Sequence, residues 1–162
     1  MTYTIRRATA ADAIMIADLN RALAWESEAR ELDPDIVVRG VRALLADPSR
    51  GFYTVADQDG LVIGQALITR EWSDWRNGWF WWLQSVYVRS EFRKAGVFRR
   101  LFEHLQAEAR ANPEVIGFRL YVEHRNSVAR QVYHALGFHS EGYEILGLSL
   151  TVSEQEQSSA GS

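Results

Sequence analysis

The sequence predicts an α/β chain of the α+β kind: a mixed, mostly antiparallel sheet with helices on both faces. Three observations predict it. Apolar runs and amphipathic stretches follow one another as strand, two helices, three strands, helix, strand, helix, strand. The middle strands are separated only by Gln58-Asp59-Gly60 and by the polar turn Ser73 to Gly78, which suits hairpins. The longest aromatic and apolar run, Trp79 to Val88, leads through Arg93-Lys94-Ala95-Gly96-Val97-Phe98 into a long amphipathic helix.

Tyr3 to Arg7 reads as the first strand. Thr9 is an N-cap with Asp12 three residues on as its capping-box partner. Ile14, Ile16, Leu19 and Leu23 give the first helix its apolar face, and Glu26 to Asp33 reads as a polar connection. Asp33-Pro34 is a cap followed by proline at the first helical position. Ile36, Val37, Val41, Leu44 and Leu45 face the core from a second helix ending near Asp47-Pro48. Phe52 to Asp57, Leu61 to about Arg70 and Trp79 to Val88 are the three middle strands.

The next helix starts at Gly96 and runs to about Arg110. It buries Val97, Leu101 and Leu105 beside Phe102 and Ala109, and Asn112-Pro113 stops it. Phe118 to Val122 is a strand. Asn126 caps a helix from Ser127 to Leu136, which Gly137 ends. Phe138 to Leu150 reads as extended, bent at Gly142. The organisation is a single domain over 1–150, and 151–162 reads as a disordered tail that is polar and small from Ser153 onward.

The 162 residues are 47% hydrophobic and carry a net charge of −3, so the chain is globular with no global attraction to nucleic acid. There is no cysteine, which removes disulfides, thiolate metal sites and a cysteine nucleophile. His104, His124, His134 and His139 lack ligand spacing, so no metal is expected. No apolar run approaches the ~20 residues of a membrane helix, and Met1 to Arg7 has no signal core. A cytoplasmic protein without a membrane partner is the expectation. Six tryptophans are many for this length, and most lie between Trp72 and Trp82.

The stretch from Arg93 to Phe98 carries the most chemistry. The first N–H groups of a helix lack partners inside it, and the helix dipole favours negative charge there. Arg93, Lys94, Arg99 and Arg100 surround that point with positive charge. A pyrophosphate is the simplest ligand. The bland reading of Gly96, an ordinary turn glycine, leaves that charge unexplained. The loop lacks the Walker lysine-serine ending and the Gly-x-Gly-x-x-Gly dinucleotide pattern.

With a second motif, Asn126-x-x-Ala129-x-x-x-Tyr133-x-x-x-Gly137-Phe138, the chain resembles the GNAT superfamily of acetyl-coenzyme-A-dependent N-acetyltransferases from Tyr3 to about Leu150. Arg93 and Gly96 match the family's pyrophosphate loop. Phe98 departs from its usual small residue, a bulk that fits if the ring faces the core and the N–H faces the ligand. The resemblance implies a parallel strand pair that splays apart, Leu83–Val88 and Phe118–Val122, with acetyl-CoA bound between. It implies coenzyme contacts from Val86, Val88, Arg93, Lys94, Gly96, Val97, Phe98 and Asn126. Val86 N–H would polarise the acyl carbonyl, and Tyr133 would protonate the leaving thiolate. Tyr133 also reads as a core tyrosine on a helix face, and Asn126 as a plain N-cap.

The base is open in the sequence. Several family members carry a glutamate where this chain has Trp82. Glu71, Glu26 and a water held by Gln84 or Ser85 are the candidates, with Glu71 first because a hairpin sets it beside the next strand. The tryptophans either fill a sheet face or line an acceptor pocket, and the acidic residues Glu26, Glu28, Glu31 and Asp33 border it, suiting a cationic amine. The function expected is acetyl transfer from acetyl-CoA to a primary amine of a small molecule or peptide, by direct attack in a ternary complex. The family also allows a homodimer. The alternative is a non-catalytic acyl-CoA-binding or sensing module of the same fold. A tryptophan-rich carbohydrate-binding module would leave the basic glycine loop without a role.

Overall fold

The computed structural model describes residues 1–151, so the expected tail from Ser153 lies outside the described residues. The chain divides into two compact units, Met1–Tyr121 and Val122 onward. The first holds β1 (Thr4–Arg7), α1 (Ala13–Glu28), α2 (Pro34–Ala46), β2 (Phe52–Gln58), β3 (Leu61–Ser73), β4 (Gly78–Val88), α3 (Val97–Ala111) and β5 (Val115–Leu120). The sheet runs in the order β1-β2-β3-β4-β5. Its first four strands are antiparallel neighbours, and β4 and β5 are parallel. This is the mixed, mostly antiparallel sheet expected.

Local chemistry sets the element ends. Thr9 N–H donates to Asp12 Oδ2 at 2.7 Å, closing the turn before α1. The buried Asp12 is gripped by the Arg6 fork, with Nη1 and Nη2 each 2.8 Å from a carboxylate oxygen. Asp33 Oδ1 accepts from Asp35 and Ile36 N–H, capping α2 ahead of Pro34. The sheet buries two faces. Ile16 and Leu19 of α1 and Val41 of α2 pack with Tyr53, Val55, Val62, Leu67 and Tyr87. On the other face Val97 and Leu101 of α3 pack with Tyr3, Ala56 and Ile63.

Several expectations are corrected. α1 continues through Glu28 and ends at Ala29 with φ 51°, so Glu26 lies on its last turn, not in a connection. Ile14 and Ile36 are exposed, because each helix presents a narrower stripe to the sheet than its apolar residues span. β5 spans Val115–Leu120 instead of Phe118 to Val122. Trp79 N–H donates to Glu114 O at 2.8 Å and Trp79 pairs with Val115, so the register is set by β4 rather than by apolar periodicity. The second unit holds α4 (Ser127–Ala135), capped by Asn126 Oδ1 accepting from Ala129 N–H. Phe138 to Leu150 forms no strand. Alternation alone does not make one; a strand needs a ladder partner for its N–H and C=O groups.

Candidate active site

Three features meet in the first unit. The first is the start of α3. Gly96 is its N-cap in a left-handed conformation, φ 77°, and no atom lies within 4 Å of where a Cβ would sit. Arg93, Lys94, Ala95 and Gly96 are exposed, so the first N–H groups of α3 open to solvent. Val97 is buried and anchors the helix against Gly64, whose missing side chain leaves Val97 Cγ1 3.0 Å from the ideal Cβ position. Phe98 stacks on Phe102 with centroids 6.2 Å apart, and Phe102 is buried. These residues fit a pyrophosphate, because an anion here meets backbone donors and a positive helix end.

The second feature is the end of β4. The last β4–β5 pair is Leu83 with Leu120, so Gln84 to Val88 run on past β5. On the β3 side, Leu67 faces Gln84 and Gln65 faces Tyr87, which leaves a bulge at Ser85 and Val86. Ser85 has φ 47°. Val88 O accepts from Arg93 Nε at 2.9 Å, so that backbone oxygen is already bonded within the chain.

The third is a carboxylate on α1. Glu26 Oε1 accepts from the Tyr87 hydroxyl at 2.7 Å and Oε2 from Arg93 Nη2 at 2.6 Å. These hydrogen bonds, Tyr87 first, hold the Glu26 carboxyl below its ordinary range. Burial, with the Glu26 carboxylate next, pushes the Tyr87 hydroxyl up. Arg93 is thus engaged by the acidic helix end as well as belonging to the basic loop.

Glu71 sits elsewhere. It faces Phe80 in the β3–β4 ladder, six residues before Val86, which is roughly 20 Å along a strand. Its Oε1 accepts from Arg119 Nη1 at 2.9 Å and from Trp82 Nε1 at 3.0 Å. The carboxylate is exposed to solvent beside these partners. Trp82 stacks on Tyr121 at 4.4 Å, and Gln84 Nε2 donates to Thr69 Oγ1 at 2.7 Å on the same sheet face. Trp81 faces the other way, edge-on to Phe52 and Phe118. The tryptophans therefore divide between core filling and a partly open face.

In the second unit, Tyr133 lies on α4 and meets Phe138 edge-on at 5.7 Å. Burial pushes its hydroxyl above the ordinary tyrosine value, so it carries its proton at neutral pH. A cleft of about 690 Å³ opens at the other end of the sheet, among Arg7, Phe52, Arg70, Trp79 and Glu108, away from the α3 N-terminus. Among the described residues no group of three or more histidine, aspartate or glutamate residues is arranged to hold a metal ion. Among them, too, no helix is long and apolar enough to cross a membrane.

The acetyltransferase (GNAT) family model matches residues 16–138. The chain belongs to the GNAT acetyltransferase family. A possible acetyltransferase from Clostridium difficile 630 is 39% identical, with a TM-score of 0.87 over 93% of this chain and 99% of that one. A predicted acetyltransferase from Clostridium acetobutylicum, solved with acetyl-CoA, shares the fold at 18% identity and a TM-score of 0.75, over 92% of this GNAT chain and 97% of that one. Ribosomal-protein-alanine N-acetyltransferase from Brucella melitensis biovar Abortus 2308 shares it at 16% identity and 0.74, over 91% and 99%. No curated protein matches the chain.

Sequence reasoning missed what surrounds the β4 bulge. Gln65 and Thr54 are buried polar residues inside apolar strands, and Asn20 and Tyr53 complete a side-chain network with Gln65. The signal was available: one glutamine interrupts the run Leu61 to Ile68.

Proposed function

We propose that this GNAT chain is an N-acetyltransferase, with residues 1–150 acting as one catalytic domain. It moves an acetyl group from acetyl-CoA to a primary amine of a small molecule or peptide, by direct attack in a ternary complex. The observation that carries this is the exposed α3 N-terminus at Gly96, reached from a β4 end that has run past β5. Acetyl-CoA supplies the activated acyl group. Val97 and Phe98 N–H, with Lys94 and Arg93, hold its pyrophosphate, while backbone groups of Val86 and Val88 and the Asn126 side chain hold the pantetheine arm. Val86 N–H polarises the acyl carbonyl, a preorganised donor that gains strength as negative charge develops. The Tyr133 hydroxyl gives its proton to the departing thiolate. The absence of cysteine favours direct attack over an acyl-enzyme.

Glu71 is set aside as the base, because its carboxylate is engaged by Arg119 and Trp82 and its ladder partner Phe80 lies six residues before Val86. The amine proton departs through a water held at Gln84 and Ser85. Glu26, a persistent anion at that end of β4, draws a cationic amine inward. A cytoplasmic location goes with a soluble thioester co-substrate. A homodimer is supported by Tyr143, Ile145, Leu146, Leu148 and Leu150, exposed apolar residues in an unpaired segment that a second copy would cover. The test is an acceptor screen with acetyl-CoA that reads thiol release. Coenzyme binding without turnover on any amine would favour the sensing module instead.

A further inference from the structure

Ser85 is a strained residue whose carbonyl is held by a chain of side-chain hydrogen bonds. Among the described residues it is the non-glycine residue inside a strand with left-handed φ, 47°, where an L side chain costs energy. Gln65, fully buried on β3, donates from Nε2 to Ser85 O at 3.1 Å and to Asn20 Oδ1 at 2.7 Å. Asn20, on α1, donates from Nδ2 to the Tyr53 hydroxyl at 3.0 Å. The hydrogen bonds thus run from Ser85 O through Gln65 and Asn20 to the Tyr53 hydroxyl.

The donors decide what Gln65 does. A primary amide nitrogen has two hydrogens, and both are used, one on the bulge carbonyl and one on Asn20. Gln65 Oε1 is buried without a partner, which is unfavourable for stability. An apolar side chain of similar length would avoid that cost. What it could not do is hold Ser85 O. In a trans peptide the carbonyl and the following N–H lie in one plane and point in opposite directions. Ser85 O aimed at Gln65 therefore aims Val86 N–H away from it.

We propose that Gln65 and Asn20 are positioning residues. They hold the Ser85–Val86 peptide in its left-handed turn and so set the direction of the N–H that polarises the acyl carbonyl. This rests on the role proposed for Val86, and the test separates the two. In Gln65→Met, which keeps length and loses both donors, the three-bond HN–Hα coupling of Ser85 should shift and Val86 amide exchange should change, with no ligand present. The kcat should fall by about 10²-fold, the scale of a misaimed catalytic group. The coenzyme A dissociation constant should rise far less than kcat falls, since the anion loop is untouched and only the Val86 contact to the pantetheine arm shifts. Ser85→Gly in that background should return Val86 amide exchange towards the wild-type value, because glycine adopts the turn without help. That recovery would not follow if Gln65 only filled space.

A Gln65→Met protein with the wild-type Ser85 coupling overturns the proposal, whatever its activity. A shifted coupling with unchanged kcat supports the positioning and overturns the role of Val86 N–H. Should Gln65→Met not fold, Asn20→Ala removes the second acceptor of Gln65 from a half-buried helix position. It should shift the same coupling and lower kcat; wild-type values for both overturn the proposal.

Discussion

Arg93 Nη2 lies 2.6 Å from Glu26 Oε2, tying the basic loop before α3 to the last turn of α1. The Tyr87 hydroxyl occupies the other carboxylate oxygen at 2.7 Å. The Glu26 carboxyl is held below its ordinary range, so its charge is lost only as pH falls through that lowered value. It stays anionic at neutral pH. Glu26→Gln should raise KM for a cationic amine by about 3- to 10-fold at low salt, and the effect should fade at high ionic strength. A drop in kcat with unchanged KM would make Glu26 the base instead.

Gly96 offers a direct test of coenzyme binding. Saturation at ~100 times the dissociation constant adds about 2.7 kcal/mol, or roughly 5–10 °C in Tm for a chain of this size. Gly96→Ala meets open space but keeps a positive φ, so it should lose about 1 kcal/mol of stability and still bind. Gly96→Glu should abolish the acetyl-CoA shift through like-charge repulsion. A wild-type melt unmoved by saturating acetyl-CoA would sink the assignment of the loop.

Tyr133→Phe keeps the ring against Phe138 and removes the hydroxyl. Turnover should fall by ~10²- to 10⁴-fold if that hydroxyl is the general acid. Burial raises its pKa, so the proton is lost only at pH above the ordinary tyrosine value, and no neutral-pH limb should belong to it. Full activity in Tyr133→Phe, with chemistry rate-limiting, would leave Tyr133 a packing residue.

Glu71→Gln breaks an exposed pair with Arg119 and weakens the Trp82 contact. Stability should change by less than about 1 kcal/mol. Its pH–rate profile should run parallel to wild type. A loss confined to neutral pH would return Glu71 to the mechanism.

Arg6 and Asp12 make stability depend on acid. The Arg6 hydrogen bond, above all, lowers the pKa of the buried Asp12 carboxyl. A depressed carboxylate stabilises the fold above its unfolded pKa near ~3.9, and that contribution is lost as pH falls through the lower folded value. Arg6→Ala should cost about 3 kcal/mol at pH 7 by leaving the charge unpaired. Denaturant melts at pH 7 and pH 3 should show the mutational difference shrinking in acid.

The sequence by itself determined the element order, the mixed sheet, both helix caps at Asp33 and Asn126, and the glycine entry to α3. These are local: a cap, a turn or a glycine N-terminus is written in neighbouring residues, and the two motifs sit at legible spacing. The tertiary structure alone decided the rest. β5 takes its register from β4, not from its own apolar pattern. Glu71 and Glu26 look alike as carboxylates near tryptophans; strand pairing puts the first beside Phe80, and the packing of α1 on the sheet puts the second against Tyr87. Phe138 to Leu150 reads as extended in the sequence but forms no strand among the described residues. The bulge at Ser85 depends on Gln65 and Asn20, 20 and 65 residues away in sequence. Hydrogen bonds between such distant groups exist only once the chain has folded, because no local preference encodes where their partners will be.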